Sequence, residues 1–369
     1  MANGKHLLTN SRMQTAKDCL RKELLAYELG IRPREQAKPL RIGTAIHLAR
    51  QLVRGAGRTV DEAIREVARQ YDATEPAGMD EERRYDWQIE RETVIRLIGG
   101  YFWRWAEYDQ QLRALATELV FQIPITNPAT GGRTNNFMLA GKIDGIDELA
   151  DGRQAIHELK TTSKDLDPAG DYFRQLRIDS QISTYYLAAE SLGYKPATVL
   201  YDVIRKPTIG PLQIPEFDEV GFRIVLDANG ERVFNKDGLP RQSADKAKGW
   251  TLQSRRQTAQ EFGERLTNDI ADRPDFYFCR REIPRLDADI EEHRFELWQM
   301  QQLIRECQKH KRWPRNTSAC VNYGRCPYFD LCTNGFMPED FGGDPPAGFV
   351  VVDDVHPELT AHPVEANSA

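Results

Sequence analysis

Asp144, Glu158 and Lys160 are the residues whose types and spacing could do chemistry. In "AIHELKTTSK" (residues 155–164), Glu158 and Lys160 stand two apart in a run whose other members, Ala155, Ile156 and Leu159, suit a strand. Side chains alternate across a strand, so the carboxylate and the ammonium share one face and Leu159 points away. Asp144 lies on the preceding apolar run, "FMLAGKIDGIDEL" (137–149). Whether it joins them depends on the hairpin "LADGR" (149–153). A three-residue loop pairs positions whose numbers sum to an even value, and Asp144 then shares the face of Glu158 and Lys160. A two-residue loop on Asp151–Gly152 puts them on opposite faces. Gly152 suits the left-handed position of the three-residue loop. In the convergent register a divalent cation would bind the two carboxylates, and Lys160 would meet the phosphate or water drawn to it. The plain alternative is an ion pair on the exposed face of a half-buried sheet.

Other residues bear on the choice. "GTAIH" sets His47 on an apolar helix with Gly43 one turn before it, where a histidine is commonly a packed core residue. In "SQISTYYLA", Gln181 and Tyr185 are four apart and share a helix face. Of six cysteines, Cys320, Cys326 and Cys332 form the C-x5-C-x5-C run "CVNYGRCPYFDLC", which lacks the C-x2-C knuckle of zinc ribbons. Three thiols so placed need a fourth ligand, for which Cys19, among Lys17, Arg21 and Lys22, is the choice. The other reading is three unconnected cysteines. Cys279 and Cys307 read as packed thiols.

These residues need elements to position them. The chain has 369 residues, 40% hydrophobic and 29% charged, enough apolar content for a packed core and enough charge for solubility. No apolar run spans a bilayer and the start lacks a signal-peptide core, so a cytoplasmic protein without membrane contact is expected. The net charge is -6, but residues 338–369 hold seven acids and no Lys or Arg, leaving a net +1 on the rest. That acidic, Pro-rich tail is expected to be mobile.

Periodicity predicts helices over 10–30, 43–53, 60–71 and 81–116. Strands follow at 118–126, 137–149 and 154–160, then a helix at 179–194 and a strand at 197–206. Residues 207–250 read as an irregular insertion. A helix is expected over 253–272, a strand over 275–283 and a long helix over 286–310. The order describes an α/β fold: a mixed sheet flanked by helices, in one domain over 1–337.

Together these pieces resemble the PD-(D/E)xK nuclease superfamily, most closely its RecB-like branch with an iron–sulfur cluster, which includes CRISPR-associated exonucleases and AddB-type subunits. The matching stretches run in the family's order: "NSRMQTAKDC", "GTAIH", "GKIDG", "ELK", "QISTY" and "CVNYGRCPYFDLC", over about residues 9–335. Two features depart from it. The first two of the three C-terminal cysteines are five residues apart where two are usual, and 207–250 has no counterpart. The resemblance implies a restriction-endonuclease-like mixed sheet with a 4Fe–4S cluster on Cys19, Cys320, Cys326 and Cys332 joining the N- and C-terminal parts. It implies that Asp144, Glu158, His47 and the Leu159 carbonyl ligate Mg2+ or Mn2+. Lys160 would orient or help deprotonate the attacking water, and Gln181 and Tyr185 would position the site and a phosphate. The implied activity is a metal-dependent DNA exonuclease on single-stranded ends, in recombination, repair or CRISPR adaptation, with a possible protein partner. A site-specific endonuclease and a non-catalytic DNA-binding iron–sulfur subunit are the alternatives.

Overall fold

The computed structural model describes residues 6–34, 38–76, 78–322, 324–336 and 345–359. The chain opens with β1 (His6–Leu8), α1 (Asn10–Asp18), α2 (Leu20–Glu23) and β2 (Ile31–Pro33). Next come α3 (Lys38–Arg50), α4 (Val60–Ala73) and α5 (Glu81–Asp109). Three long strands follow, β3 (Arg113–Thr126), β4 (Arg133–Glu148) and β5 (Gln154–Thr162), then α6 (Asp171–Leu176), α7 (Ser180–Ser191) and β6 (Pro196–Arg205). Short strands β7 (Gln213–Pro215), β8 (Val225–Leu226), β9 (Thr251–Leu252) and β10 (Ser254–Arg256) precede α8 (Ala259–Asp272), α9 (Pro274–Tyr277) and β11 (Phe278–Ile283). The chain continues through α10 (Asp287–His310), α11 (Phe329–Thr333) and β12 (Phe349–Val351). Among the described residues no helix is long and apolar enough to cross a membrane.

Two compact units result, where one domain over 1–337 was expected. The first comprises residues 1–63, 105–205 and 278–369, and the second 64–104 and 206–277. The first unit is a mixed α/β layer built on a sheet ordered β1-β4-β5-β6-β11, with β3 on the other edge of β4. β4 and β5 are antiparallel, β5 and β6 parallel, and β6 and β11 antiparallel. α7 makes the crossover that a parallel pair requires. One face of this sheet carries the main core, including Ile146, Ile156, Tyr201, Ile182 and Leu297. β4 shares one edge between two partners. β1 takes Phe137–Leu139 and β5 takes Gly145–Glu148, so Ala140–Asp144 has no ladder partner on that edge.

In the second unit Tyr71 donates to Glu90 at 3.1 Å, the Trp87 indole to the Tyr71 carbonyl at 3.2 Å, and Tyr85 to the Gln257 carbonyl at 2.7 Å. The supposed insertion belongs here. Its apparent irregularity is a series of tight turns, Asp218–Gly221, Asp227–Gly230 and Asn235–Gly238, between very short paired strands. Strands of two or three residues leave no readable alternation.

Other boundaries differ where tertiary pairing overrides local preference. The helix expected to reach 116 ends at Asp109, because Arg113–Thr117 pair with Gly145–Glu148. The 10–30 helix breaks at Cys19, which is extended (φ -165°, ψ 119°). Residues 254–256 pair with β7, and the helix read from 253 starts at the Thr258–Glu261 capping box. α9 replaces the start of the strand expected from 275. Part of the tail expected to be mobile is built in: β12 pairs with β2, and Val352 donates to the Gly30 carbonyl at 2.9 Å. Gly30 has φ +65°, and a Cβ there would collide with the Val352 carbonyl oxygen. The remaining tail residues, 338–344 and 360–369, lie outside the described residues.

The face of the sheet opposite the main core holds a buried ionic network. Asp147, His157 and Asp202 lie on β4, β5 and β6 and are wholly buried. The His157 ring stands between the two carboxylates, Nδ1 2.5 Å from Asp147 and Nε2 2.6 Å from Asp202. Arg54 pairs with Asp147 at 2.7 Å. Arg280 of β11 reaches Asp202 at 2.7 Å and Asp109 at 2.5 Å, with its guanidinium 4.5 Å from the Trp105 ring centroid and 4.8 Å from that of Tyr108. Burial by itself would raise both carboxyl pKa values. His157 and Arg54 hold Asp147 at about 2, and His157 and Arg280 hold Asp202 below the usual range. Removing one partner strands a buried charge. Arg280→Met, which keeps an unbranched apolar stem, should therefore cost about 3–5 kcal/mol, read as a lower denaturant midpoint at an unchanged slope. An unaltered midpoint would show that the network carries no stability.

Candidate active site

The hairpin takes the convergent register. Gly145 pairs with His157 and Ile146 with Ile156, both even sums, and the Leu149 N–H donates to the Arg153 carbonyl at 2.8 Å across the turn. Gly152 holds φ +85°, the left-handed position that closes such a loop. Asp144 and Glu158 thus face each other one step beyond the last ladder pair. There the strands part, and the Asp144 carboxylate takes the Leu159 N–H at 3.1 Å in place of a strand carbonyl. The two acids meet in the split of the sheet.

α3 delivers an imidazole and a guanidinium to this point. His47 Nδ1 is 3.3 Å, and Arg50 Nη1 3.4 Å, from Asp144 Oδ2. Arg50 went unread in the sequence, although it stands three after His47 and so on the same helix face. Burial pushes the Asp144 pKa up, but His47 and Arg50, then the Leu159 N–H and Lys160, bring it below its ordinary value. Glu158 responds in the opposite direction. It is 3% exposed, and burial and the Asp144 charge push it up to about 8. Its Oε2 is buried and has no hydrogen-bond partner among the described residues.

Lys160 is fully satisfied. Its ammonium lies 3.2 Å from Glu158, 3.0 Å from Asp179 and 2.8 Å from Gln181 Oε1, one acceptor for each proton. Burial lowers its pKa, but Glu158 and Asp179 more than restore it, so the group stays charged. Asp179, also unread, caps α7 by accepting the Gln181 N–H at 2.9 Å. The signal was present: an Asp one residue before the first helical turn. Gln181 donates to the Tyr185 hydroxyl at 2.8 Å. Burial and the carboxylates hold Tyr185 well above its ordinary pKa, so it remains a neutral phenol. The structure thus draws His47, Asp144, Glu158, Lys160, Gln181 and Tyr185 together on one face.

The cysteines gather elsewhere in the same unit. The break at Cys19 turns its Sγ toward Asn316, whose N–H lies 3.4 Å away, while Arg21 donates to the Pro314 carbonyl at 3.1 Å. The Cys326 N–H donates to the Cys320 carbonyl at 2.8 Å. Cys326 and Cys332 pack beside Tyr27, Ile31, Tyr328 and Leu331. Burial raises both thiols, with Cys19 and Cys320 adding to Cys326, and Cys19 and Cys326 to Cys332. Asn316 touches two of the thiols, its N–H on Cys19 Sγ and its carbonyl accepting from Cys320 Sγ at 3.8 Å. All six cysteines are free thiols, and Cys307 is buried as expected.

Among the described residues, no three His, Cys, Asp or Glu side chains converge as a ready coordination sphere for one ion. The acidic cluster nevertheless fits a dication in its chemistry, because Glu158 presents an unpartnered, buried oxygen next to a second carboxylate. Bringing a positive charge there would satisfy it.

A family model described as the PD-(D/E)XK nuclease superfamily matches residues 8–333. No curated protein matches the chain.

The raised Glu158 pKa has a readable consequence. A carboxyl whose folded pKa lies above its unfolded value of about 4.5 destabilises the fold as pH rises toward 8, and the penalty is absent at acid pH. In EDTA, Glu158→Gln should therefore raise the melting temperature by several degrees at pH 8 and hardly at all near pH 5. Mn2+ should stabilise the wild type and not the variant. A variant that melts lower at pH 8 would show that Glu158 is not held under strain.

Proposed function

The chain belongs to the PD-(D/E)XK nuclease superfamily, whose members are nucleases, and from that premise we propose that it is a metal-dependent DNA exonuclease of the RecB-like branch. It would hydrolyse phosphodiester bonds at single-stranded ends, in the cytoplasm. The observation that carries the reading is the orphaned, buried oxygen of Glu158, which stands opposite Asp144 in the strand register. His47, Asp144, Glu158 and the Leu159 carbonyl would hold Mg2+ or Mn2+, the usual ions of the family. When bound, the ion would supply Lewis-acid stabilisation of phosphoryl charge and ease the ionisation of water.

The chain's own residues do the rest. Lys160 is a firmly charged donor, which suits orienting the nucleophile and offsetting charge on the phosphate better than taking a proton. Gln181 fixes the ammonium, Tyr185 fixes Gln181, and Asp179 keeps Lys160 charged. Asp144 stays ionised because His47 and Arg50 face it.

Cys19, Cys320, Cys326 and Cys332 would hold a 4Fe–4S cluster. The support is their convergence as free thiols from both ends of the chain. The cluster's role would be a structural staple that restricts the unfolded chain.

Digestion of end-labelled single-stranded DNA by anaerobically purified protein tests the activity. Label loss should require Mn2+ or Mg2+, and Lys160→Ala should slow it by roughly 10²–10³-fold. Intact label after incubation with folded wild type would sink the reading. The cluster is tested apart from turnover. Wild type should be brown, and Cys326→Ser should be colourless and melt at a lower temperature. A colourless wild type, or equal melting of both proteins, would remove the staple.

A further inference from the structure

A cavity of about 620 Å³ opens between α6 and the segment running from β11 into α10. Phe173, Arg174, Arg177, Arg281, Ile283 and Leu286 are among its lining residues. None of them belongs to the cluster around Glu158.

Three links join the cavity to that cluster. Tyr172 precedes Phe173 on α6 and feels the charges of Lys160, Asp179 and Glu158. Arg285, next to the lining residue Leu286, donates to the Asp179 carbonyl. Strand register supplies the third. Glu158 stands beside Tyr201 on β6, and Tyr201 beside Arg281 on β11. Side chains in register on adjacent strands share a face, so Arg281 stands two strand spacings, about 10 Å, from Glu158 on the catalytic side.

The arginines are available. Arg177 is exposed and meets no carboxylate among the described residues. Arg281 rests on the Phe173 ring, 5.1 Å from its centroid, and donates to the Pro168 carbonyl at 3.4 Å. Arg174 has Asp171 at 3.7 Å, with both side chains open to water. Of the lining carboxylates, Glu282 is taken by Arg153 at 2.8 Å, which leaves Asp289. Among the lining residues stands one bare apolar side chain, Leu286 at 67% exposure, next in the chain to Arg285, which holds the Asp179 carbonyl.

We propose that this groove holds single-stranded DNA next to the catalytic carboxylates, with phosphates on Arg174, Arg177 and Arg281 and unpaired bases against Leu286. The proposal rests on the nuclease reading and deepens it by naming the strand's path. Chemistry favours the single strand. A duplex presents phosphates outward and keeps its bases stacked inside, so it would leave the apolar wall facing water. Unpaired bases offer flat apolar faces beside a charged backbone, which matches a wall of this composition.

The test measures binding in EDTA, by anisotropy of labelled oligothymidylate, a duplex of equal length and oligouridylate, on the full chain. Wild type should prefer oligothymidylate. Arg177→Ala/Arg281→Ala should weaken it about tenfold and make the slope of log affinity against log salt shallower by about 1.4, at about 0.7 per lost phosphate contact. Arg177→Lys/Arg281→Lys should recover most of the affinity, which separates lost contacts from lost folding. Leu286→Ser should weaken binding at an unchanged slope. A double alanine variant with wild-type affinity and slope overturns the proposal, as does equal binding of the duplex. Preference for oligouridylate overturns the assignment to DNA. The two readings fail separately. Wild type that binds through these arginines and never cuts removes the nuclease reading, and undiminished cutting by the double alanine variant removes the groove.

Discussion

Two wholly buried carboxylates, on strands either side of β5, set the terms for the first unit. Asp147 and Asp202 cannot stay ionised in the interior without partners, and His157, Arg54 and Arg280 meet them from the strand between, the helical segment that continues α3, and the strand beyond. The network closes only when β4, β5, β6 and β11 are in one particular register. A slip of one residue would turn His157 toward the apolar core and Glu158 into the ionic network. The register that buries these charges is thus the one that brings Asp144, Glu158 and Lys160 to the other face.

On that other face the fold leaves a defect. β4 gives part of one edge to β1 and part to β5, and the unpaired step between them is where Asp144 sits. Its carboxylate substitutes for a missing strand carbonyl at the Leu159 N–H. The charges are unequally served. Asp144 has His47 and Arg50 beside it and Lys160 has three acceptors, while Glu158 keeps one oxygen without a partner among the described residues. A folded chain retains such an unsatisfied buried group only where something else maintains it, which is why functional sites run against stability.

The cysteine region shows how remote segments are tied. Cys19 escapes its helix through an extended backbone, and the 314–316 segment zips onto residues 18–21 by three hydrogen bonds. β12, beyond the stretch matched by the family model, adds a strand to β2 and lays Phe349 against Tyr328 in a stacked pair. This chain therefore closes the thiol region with residues of its own beyond the matched stretch.

Much of the architecture could be read without coordinates. The hydrophobic periods of β3 to β6 and α10 are long enough to declare themselves, and the Glu158–Lys160 pair follows from strand alternation alone. Gly152 favoured the loop that the structure adopts. What stayed hidden involves partners distant in sequence or signals too short to repeat: β1, the tight turns of 213–256, the β12 strap and the buried ionic network. Asp147 and His157 look like ordinary strand residues until Asp202 and Arg280 are placed beside them. Local chemistry, being a property of neighbours along the chain, was determined by the sequence itself. Which carboxylate is stabilised and which is left unsatisfied was decided only by tertiary structure, because burial and opposing charge come from residues far away in the chain.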